Sequence, residues 1–362
     1  MTLAFVVNSG SSSIKCELVD VEREEKLRGG LIERVTDHES AMLGMLGELG
    51  DVHPAVIGHR VVHGGSVFTA ATLVTDEVEA AIEELSALAP LHNPPNLAGI
   101  RAARAAFPGV PNVAVFDTAF HQTLAPEAYT YAIDADVARE QGIRRYGFHG
   151  TSYQYVSRAA AELLGNPAAK LIVFHLGNGA SVAAIDAGRS VETSMGMTPL
   201  EGLVMGTRSG DVDAGILFHL GRSGATLDEL DTMLNRRSGL LGLTGSGDMR
   251  DVQGKAAGGD AEAQLALDVY HHRLRHYLGA YLALLGGADA IVFTAGVGEN
   301  SPATRSAAVA GLAGLGIEID ESLNSAASKE ARVVSSGASR IAVLVVPTNE
   351  ELEIARQSAA LL

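Results

Sequence analysis

The first apolar run of the chain, Phe5-Val6-Val7, stops at Asn8 and gives way to Ser9-Gly10-Ser11-Ser12-Ser13. Apolar positions then resume every second residue, through Ile14, Cys16 and Leu18. Period-two alternation predicts strands, so the opening reads strand, small-residue turn, strand. The same pattern returns at 171–190. Leu171-Ile172-Val173-Phe174 ends in Gly177-Asn178-Gly179-Ala180-Ser181, and Val182, Ala184 and Ile185 carry the alternation on. Asn-Gly between apolar runs is a strong hairpin signal. One copy near the start of each half predicts a chain built twice on one plan. We therefore expect a first domain over 1–150 and a second over 151–349.

Between and after these hairpins, 56–63 ("VIGHRVVH") and 112–116 ("NVAVF") read as buried strands. Residues 76–89 have helical spacing, an acidic first turn and a stop at Pro90. The segment 261–285 predicts a long helix, and 288–300 a strand running into a Gly-rich turn. The chain closes with a strand from 339, a turn at Thr348-Asn349 and a terminal helix, 350–362, which we expect to pack back on the first domain. Strands alternating with helices define an α/β protein.

Composition narrows the picture. With 362 residues, 47% of them hydrophobic, the chain can bury more than one core. A formal charge of −16 argues against nucleic acid as a partner; the densest basic stretches, at 235–237 and 271–276, read as solvated helix faces. The single cysteine, Cys16, forms no internal disulfide and reads as a core residue in a reducing compartment. The N-terminus lacks a basic segment followed by a long apolar one, and no window reaches about 18 apolar residues. The expectation is a cytoplasmic protein with no membrane partner.

Ser/Gly-rich turns expose backbone N–H groups and hydroxyls, which suit phosphate oxygens, and Lys15 adds charge. The pattern G-x-x-x-x-G-K-[ST] is absent, and a strand rather than a helix follows the first turn. Taken singly, each turn is equally a structural one. Arg60 interrupts a strand, where a paired structural arginine and an anion-binding one look alike. Asp117 ends a strand, His149 sits between glycines, and Arg208 lies in a Gly-punctuated loop with Asp211 and Asp213. Two arginines, a histidine and an aspartate in such settings suit phosphoryl transfer.

Ten segments together carry a family resemblance: "VVNSGSSSIK", "GHRVVHGG", "LAPLHNPPN", "VFDTAFHQT", "YGFHGTS", "HLGNGAS", "TSMGMTPLEGLVMGTRSGDVD", "TGSGDMRDV", "FTAGVGEN" and "PTNEELEIA". In this order, from residue 6 to about 355, they closely resemble the acetate kinase family. The resemblance implies two similar actin-like (ribonuclease H-like) domains with a nucleotide cleft between them. It implies reversible transfer from ATP to acetate, with propionate or butyrate as alternative acids and a nucleotide switch without an acceptor as the distant rival. By the same resemblance Asp117, His149 and Arg208 are catalytic. Arg60 holds the acid, whose methyl meets Val62, Leu91, Phe148 and Pro199. Lys15, Ser11 and Ser13 approach the nucleotide phosphates. The rest of the ATP site is His175, Leu176, Gly177, Asn178, Gly179, Asp248, Met249, Arg250, Gly296, Val297, Gly298, Glu299 and Asn300. Asn8 and Glu350 hold Mg²⁺, or Mn²⁺ in its place, and the chain forms a homodimer through its second domain. A carboxylate acceptor is already ionised, so we expect Asp117 to organise the metal, water or Arg208 rather than to remove a proton. Two departures stand out: the segment 29–57 is short for the family, and Ala295 occupies a position where glycine is common, a change expected to be harmless.

Overall fold

A computed structural model describes residues 2–9, 13–33, 44 and 53–362. Ser11 lies outside the described residues, as does most of the middle of 29–57. The chain forms two compact units, and the division is finer than one cut near 150. The first unit takes 1–122, 148–155 and 349–362; the second takes 123–147 and 156–348. Residues 123–147 join the second unit because their polar groups bond there. Thr123 Oγ1 donates to the Ser190 carbonyl at 2.6 Å, the Tyr146 N–H to the Gly196 carbonyl at 3.0 Å, and the Arg145 guanidinium meets Glu201 at 2.7 Å.

The first unit contains strands β1 (Leu3–Ser9), β2 (Ser13–Asp20), β3 (Glu25–Glu33), β4 (Val56–Val61), β5 (Thr72–Leu73) and β6 (Asn112–Phe116). Its helices include α1 (Asp76–Glu84), α2 (Asn93–Ala106) and the start of α3 (Gly150–Leu164). The strands order as β3-β2-β1-β4-β6-β5. β1, β4 and β6 run parallel; the other pairings are antiparallel.

The second unit contains β7 (Lys170–Leu176), β8 (Ala180–Asp186), β9 (Arg189–Thr193), β10 (Ala290–Thr294), β11 (Arg332–Val333) and β12 (Ala342–Val345). Read from β9, its order is β9-β8-β7-β10-β12-β11. Position by position this repeats the first sheet, with the same parallel and antiparallel pairings. Even the register shift recurs, between Leu18 and Val19 and between Ala184 and Ile185. The twice-used hairpin thus belongs to a full duplication of a mixed six-stranded sheet. The helices that matter below are α4 (Met249–Ala257), α5 (Ala261–Leu285), α6 (Ala295–Asn300) and α7 (Pro302–Val309). The predicted Gly-rich turn after 294 is the short helix α6. The basic stretch at 271–276 is not wholly solvated: Leu274 is buried and Arg273 pairs with Asp211 at 3.3 Å.

The terminal helix α8 (Glu350–Ala359) lies in the first unit, where it packs on β1, β4 and β6. Alternation along β1 explains how both faces are covered. Ala4 and Val6 meet Leu352, Ile354 and Ala355 of α8; Phe5 and Val7 meet Ala102 and Ala103 of α2. Cys16 lies in this second cluster, and burial pushes its thiol up to about 12, so it packs rather than reacts. Among the described residues no helix is long and apolar enough to cross a membrane.

Candidate active site

Parallel neighbours β1, β4 and β6 end on the same side of the first sheet. Asn8 lies at the end of β1, Arg60 near the end of β4, and Asp117 just past β6. The Arg60 Nε donates to both oxygens of Asp117, at 3.0 and 3.1 Å, and its Nη2 reaches Oδ2 at 2.5 Å. Nη1 donates to Asn8 Oδ1 at 3.2 Å. Asp117 is therefore organised with Arg60. Arg208 Nη1 donates to the Pro199 carbonyl at 2.9 Å and to Met205 Sδ at 3.7 Å. Burial alone would lower the pKa of Arg60, but Asp117, Glu350 and Glu351 outweigh it and raise the value.

The first turn of α8 supplies Glu350 and Glu351. Burial, aided by Asp117 and Glu351 and opposed by Arg60 and Lys15, pushes the Glu350 carboxyl up to about 7. Lys15 pairs with Glu351 at 2.8 Å and Glu17 at 3.4 Å. Asp117 also fixes the chain that follows the site. Its carbonyl accepts the Gly150 N–H at 2.9 Å, and a Cβ at Gly150 would sit 2.2 Å from that oxygen. Just before it, His149 takes a left-handed φ of 59°. Val62 and Phe148 are buried, whereas Leu91 is 44% exposed.

The equivalent ends of β7 and β10 open onto a cavity of about 470 Å³ in the second unit. Of the residues expected at the nucleotide, Gly177, Asn178, Asp248, Met249, Arg250, Gly296, Val297 and Asn300 line it. The turn at 177–179 closes through Gly177 N–H to the Gly179 carbonyl at 3.0 Å, and the Asn178 carbonyl accepts the Gly206 N–H at 2.9 Å. Asp248 caps α4 through the Arg250 N–H, and the Arg250 side chain holds its carboxyl down to about 2. His175, Leu176, Gly179, Gly298 and Glu299 do not line the cavity. Glu299 Oε1 instead accepts the N–H groups of Ala295 and Thr348, at 2.8 and 3.1 Å. Fully buried Arg305 donates to the Gly298 and Glu299 carbonyls, at 2.8 and 2.9 Å, and to Asn324. These groups shape the wall from behind. Sequence reading missed Gly206, Leu240, Gly247, Gln253, Tyr270 and Ser301, which also line the cavity. Gly206 and Gly247 stand inside the motifs quoted above and offered a signal; Gln253 and Tyr270 are helix residues with none.

Arg208 contrasts with Arg60. It is half-buried, burial lowers its pKa, and it pairs with no carboxylate among the described residues. A desolvated guanidinium bonded only to a carbonyl and a thioether retains donors for an anion.

The sequence profile of the acetokinase family matches residues 48–356. Acetate kinase of Leifsonia xyli subsp. xyli is 60% identical, over 99% of this chain and 98% of its own length. Acetate kinase of Streptomyces coelicolor is 51% identical, over 99% and 97%. Among solved structures, an acetate kinase from Porphyromonas gingivalis superposes with a TM-score of 0.94 at 39% identity, covering 99% of both chains. A propionate kinase from Francisella tularensis matches at 0.94 and 40%, covering all of both.

Proposed function

The chain belongs to the acetokinase family, and on that premise we propose how its residues divide the work of an acetate kinase. The activity is that of a phosphotransferase with a carboxyl group as acceptor. A carboxylate oxygen attacks the γ-phosphorus of ATP in line, the bond to the bridging oxygen breaks, and acetyl phosphate and ADP form; the reverse reaction uses the same groups. Acetate titrates in the carboxylate range, about 4.3 for Glu, so it arrives ionised and needs no general base. The barrier is the approach of one anion to another.

Arg60 holds the acid with the donors that Asp117 and Asn8 leave over. Asp117 aims the guanidinium and removes no proton. Val62, Leu91, Phe148 and Pro199 serve the methyl group. Arg208 and His149 stabilise the phosphoryl group in flight. The second-unit cavity takes the nucleotide, and Lys15 with the Ser11 and Ser13 turn serves its phosphates. Asn8 Oδ1 and the Glu350 carboxyl, each beside Arg60, would supply oxygens to a hard divalent cation such as Mg²⁺ or Mn²⁺. No set of three or more His, Cys, Asp or Glu among the described residues could hold a metal ion, so its other oxygens would come from water and phosphate. When bound, such a cation neutralises phosphate charge. We also read the protein as a cytoplasmic homodimer through its second unit, with no nucleic-acid or membrane partner; sedimentation tests the dimer.

The observation that carries this reading is Arg208, a half-buried cation with no carboxylate partner among the described residues. The test is ADP release from Mg·ATP with acetate, propionate, butyrate or no acid. Release ranked in that order, with little in the blank, is the expected result. A lead for propionate would favour the second reading, to which the similarity to the Francisella propionate kinase lends some support. Equal release in every tube would overturn the kinase.

A further inference from the structure

Asp211 stands close to Arg208 in the sequence and has no part in the chemistry above. Arg208 lies on the loop 202–211, which closes at its base. The Gly202 N–H donates to Asp211 Oδ1 at 2.8 Å, and the Asp211 N–H donates to the Gly202 carbonyl at 3.0 Å. Gly202 and Gly210 have positive φ, 109° and 68°, and a Cβ at Gly210 would stand 2.4 Å from the Leu203 carbonyl oxygen. The two limbs of the loop thus leave no room for a side chain between them. Asp211 Oδ2 accepts the Tyr277 hydroxyl at 2.8 Å and Arg273 Nη1 at 3.3 Å. Tyr277 and Arg273 are four residues apart on α5 and share one helix face. Burial and the charge of Asp211 raise the Tyr277 pKa, which keeps the phenol a donor. One carboxylate therefore closes the base of the loop with one oxygen and ties it to α5 with the other. The far part of the loop is held by backbone bonds, Ser209 N–H to the Leu234 carbonyl at 3.0 Å and Leu240 N–H to the Met205 carbonyl at 2.9 Å.

We propose that Asp211 is a positioning residue for phosphoryl transfer, fixing through the backbone where the Arg208 guanidinium stands. This rests on the reading of Arg208 as the cation that meets the phosphoryl group in flight. The Arg208 side chain has little of its own to aim it: Nη1 meets a carbonyl and a thioether, and no carboxylate pairs with it among the described residues. Its place follows from its backbone, and the backbone is held where the loop is anchored. The Asp211 and Arg273 side chains are 29% and 31% exposed, so their ion pair adds little stability, and losing it costs position more than folding. Asparagine cannot serve both anchorages. It has one acceptor oxygen and one amino group, so the amino group meets either the Gly202 N–H or the two donors of α5. Either the base of the loop opens or its tie to α5 parts. Asp213, by contrast, is exposed, and its Oδ1 closes a local turn through the Gly215 N–H at 2.9 Å.

The experiment is a double-mutant cycle on the full chain. It compares kcat and the KM values for acetate and Mg·ATP in the wild type, Asp211→Asn, Arg208→Ala and the double variant. Asp213→Asn is the control, and thermal melting confirms folding. A misplacement of about 1 Å can cost about 10²-fold in rate, so Asp211→Asn should lower kcat by about 10- to 10²-fold. Both KM values should stay within about twofold of the wild type, because ground-state binding does not use Arg208. Once Arg208 is alanine, Asp211→Asn should lower kcat no further. Asp213→Asn should keep the wild-type kcat. If Asp211→Asn does not fold, the cycle is run with Tyr277→Phe, which leaves Arg273 on the carboxylate and should lower kcat several-fold, again only where Arg208 is present. An unchanged kcat in the Asp211 or Tyr277 variant, or an equal fall with and without Arg208, is what a merely structural aspartate gives and would overturn the proposal. So would a change confined to KM, or a fall in Asp213→Asn as large as in Asp211→Asn. The two readings fail separately. A wild-type kcat in Arg208→Ala sinks the role of Arg208 and the proposal with it; a low kcat in Arg208→Ala beside a wild-type kcat in Asp211→Asn sinks only the proposal.

Discussion

Arg60 and Arg208 share a side chain and have opposite electrostatic settings. Asp117 already neutralises Arg60, so its remaining donors can hold the acid only in its ground-state place. Arg208 has no such partner among the described residues and is suited to charge that develops in flight. Arg208→Ala should lower kcat by up to about 10²–10³, whereas Arg60→Ala should act mainly on the KM for the acid. Steady-state kinetics at varied acetate and saturating Mg·ATP separates the two, and the reverse partition would reject the division. Ala295 is the other residue with a clear consequence. It sits at φ 64°, in the left-handed region, so the missing glycine is not harmless. An L-residue there is strained by roughly 1–2 kcal/mol, partly offset by glycine's greater unfolded-state freedom. Ala295→Gly should raise the unfolding free energy by about 0.5–1 kcal/mol, read from urea midpoints; a loss of stability would show that Ala295 carries no strain.

At the scale of elements, α8 reaches the site by lying close to β4. A Cβ at Gly58 would stand 2.4 Å from Ser358 Oγ and 2.7 Å from Ile354 Cγ2, both on α8. Ser358 is short and its hydroxyl is bonded to the Ile354 carbonyl at 2.7 Å, so it has little room to yield. Gly58→Ala should therefore lift α8, at a loss of about 1–3 kcal/mol, and move Glu350 with it. Urea denaturation and kcat measured on the same variant should fall together. Full activity in a destabilised protein would mean that the position of α8 does not matter to the chemistry. The same dependence on neighbours holds for α6, whose wall of the cavity rests on Glu299 at one end and Arg305 at the other.

For the whole molecule, buried histidine sets a pH limit. His59 is 1% exposed on β4, and its Nε2 donates to Asn112 Oδ1 at 2.7 Å, because the Asn112 amide nitrogen is already bonded to Val110. Nδ1 is buried without a partner among the described residues. Burial pulls its pKa down to about 4, since a second proton would find neither water nor an acceptor. The unfolded chain binds that proton near pH 6.5, so between about 6.5 and 4 it holds more protons than the fold. This contribution is complete above about pH 6.5 and is lost as pH falls towards 4, on the order of 3 kcal/mol in all. Urea midpoints at about pH 7 and 4.5 should show a smaller drop in His59→Gln than in the parent. Identical drops would remove His59 as the cause.

Much of this protein is legible in its amino-acid sequence. Both hairpins, the strands at 56 and 112, the helix Ala261–Leu285 and the duplicated plan follow from apolar periodicity, because a buried face imposes its own repeat on the chain. The motif residues at strand ends are legible too, since small and charged residues there interrupt an otherwise apolar pattern. What tertiary structure alone decided is which groups meet. That Asp117 serves Arg60, that Lys15 faces Glu351, and that 123–147 joins the second unit all depend on contacts across long stretches of chain. The same holds for the strain at Ala295 and for the Tyr270 hydroxyl, which has no hydrogen-bond partner among the described residues. A sequence states which residues are polar; only packing states which of them remain without a partner.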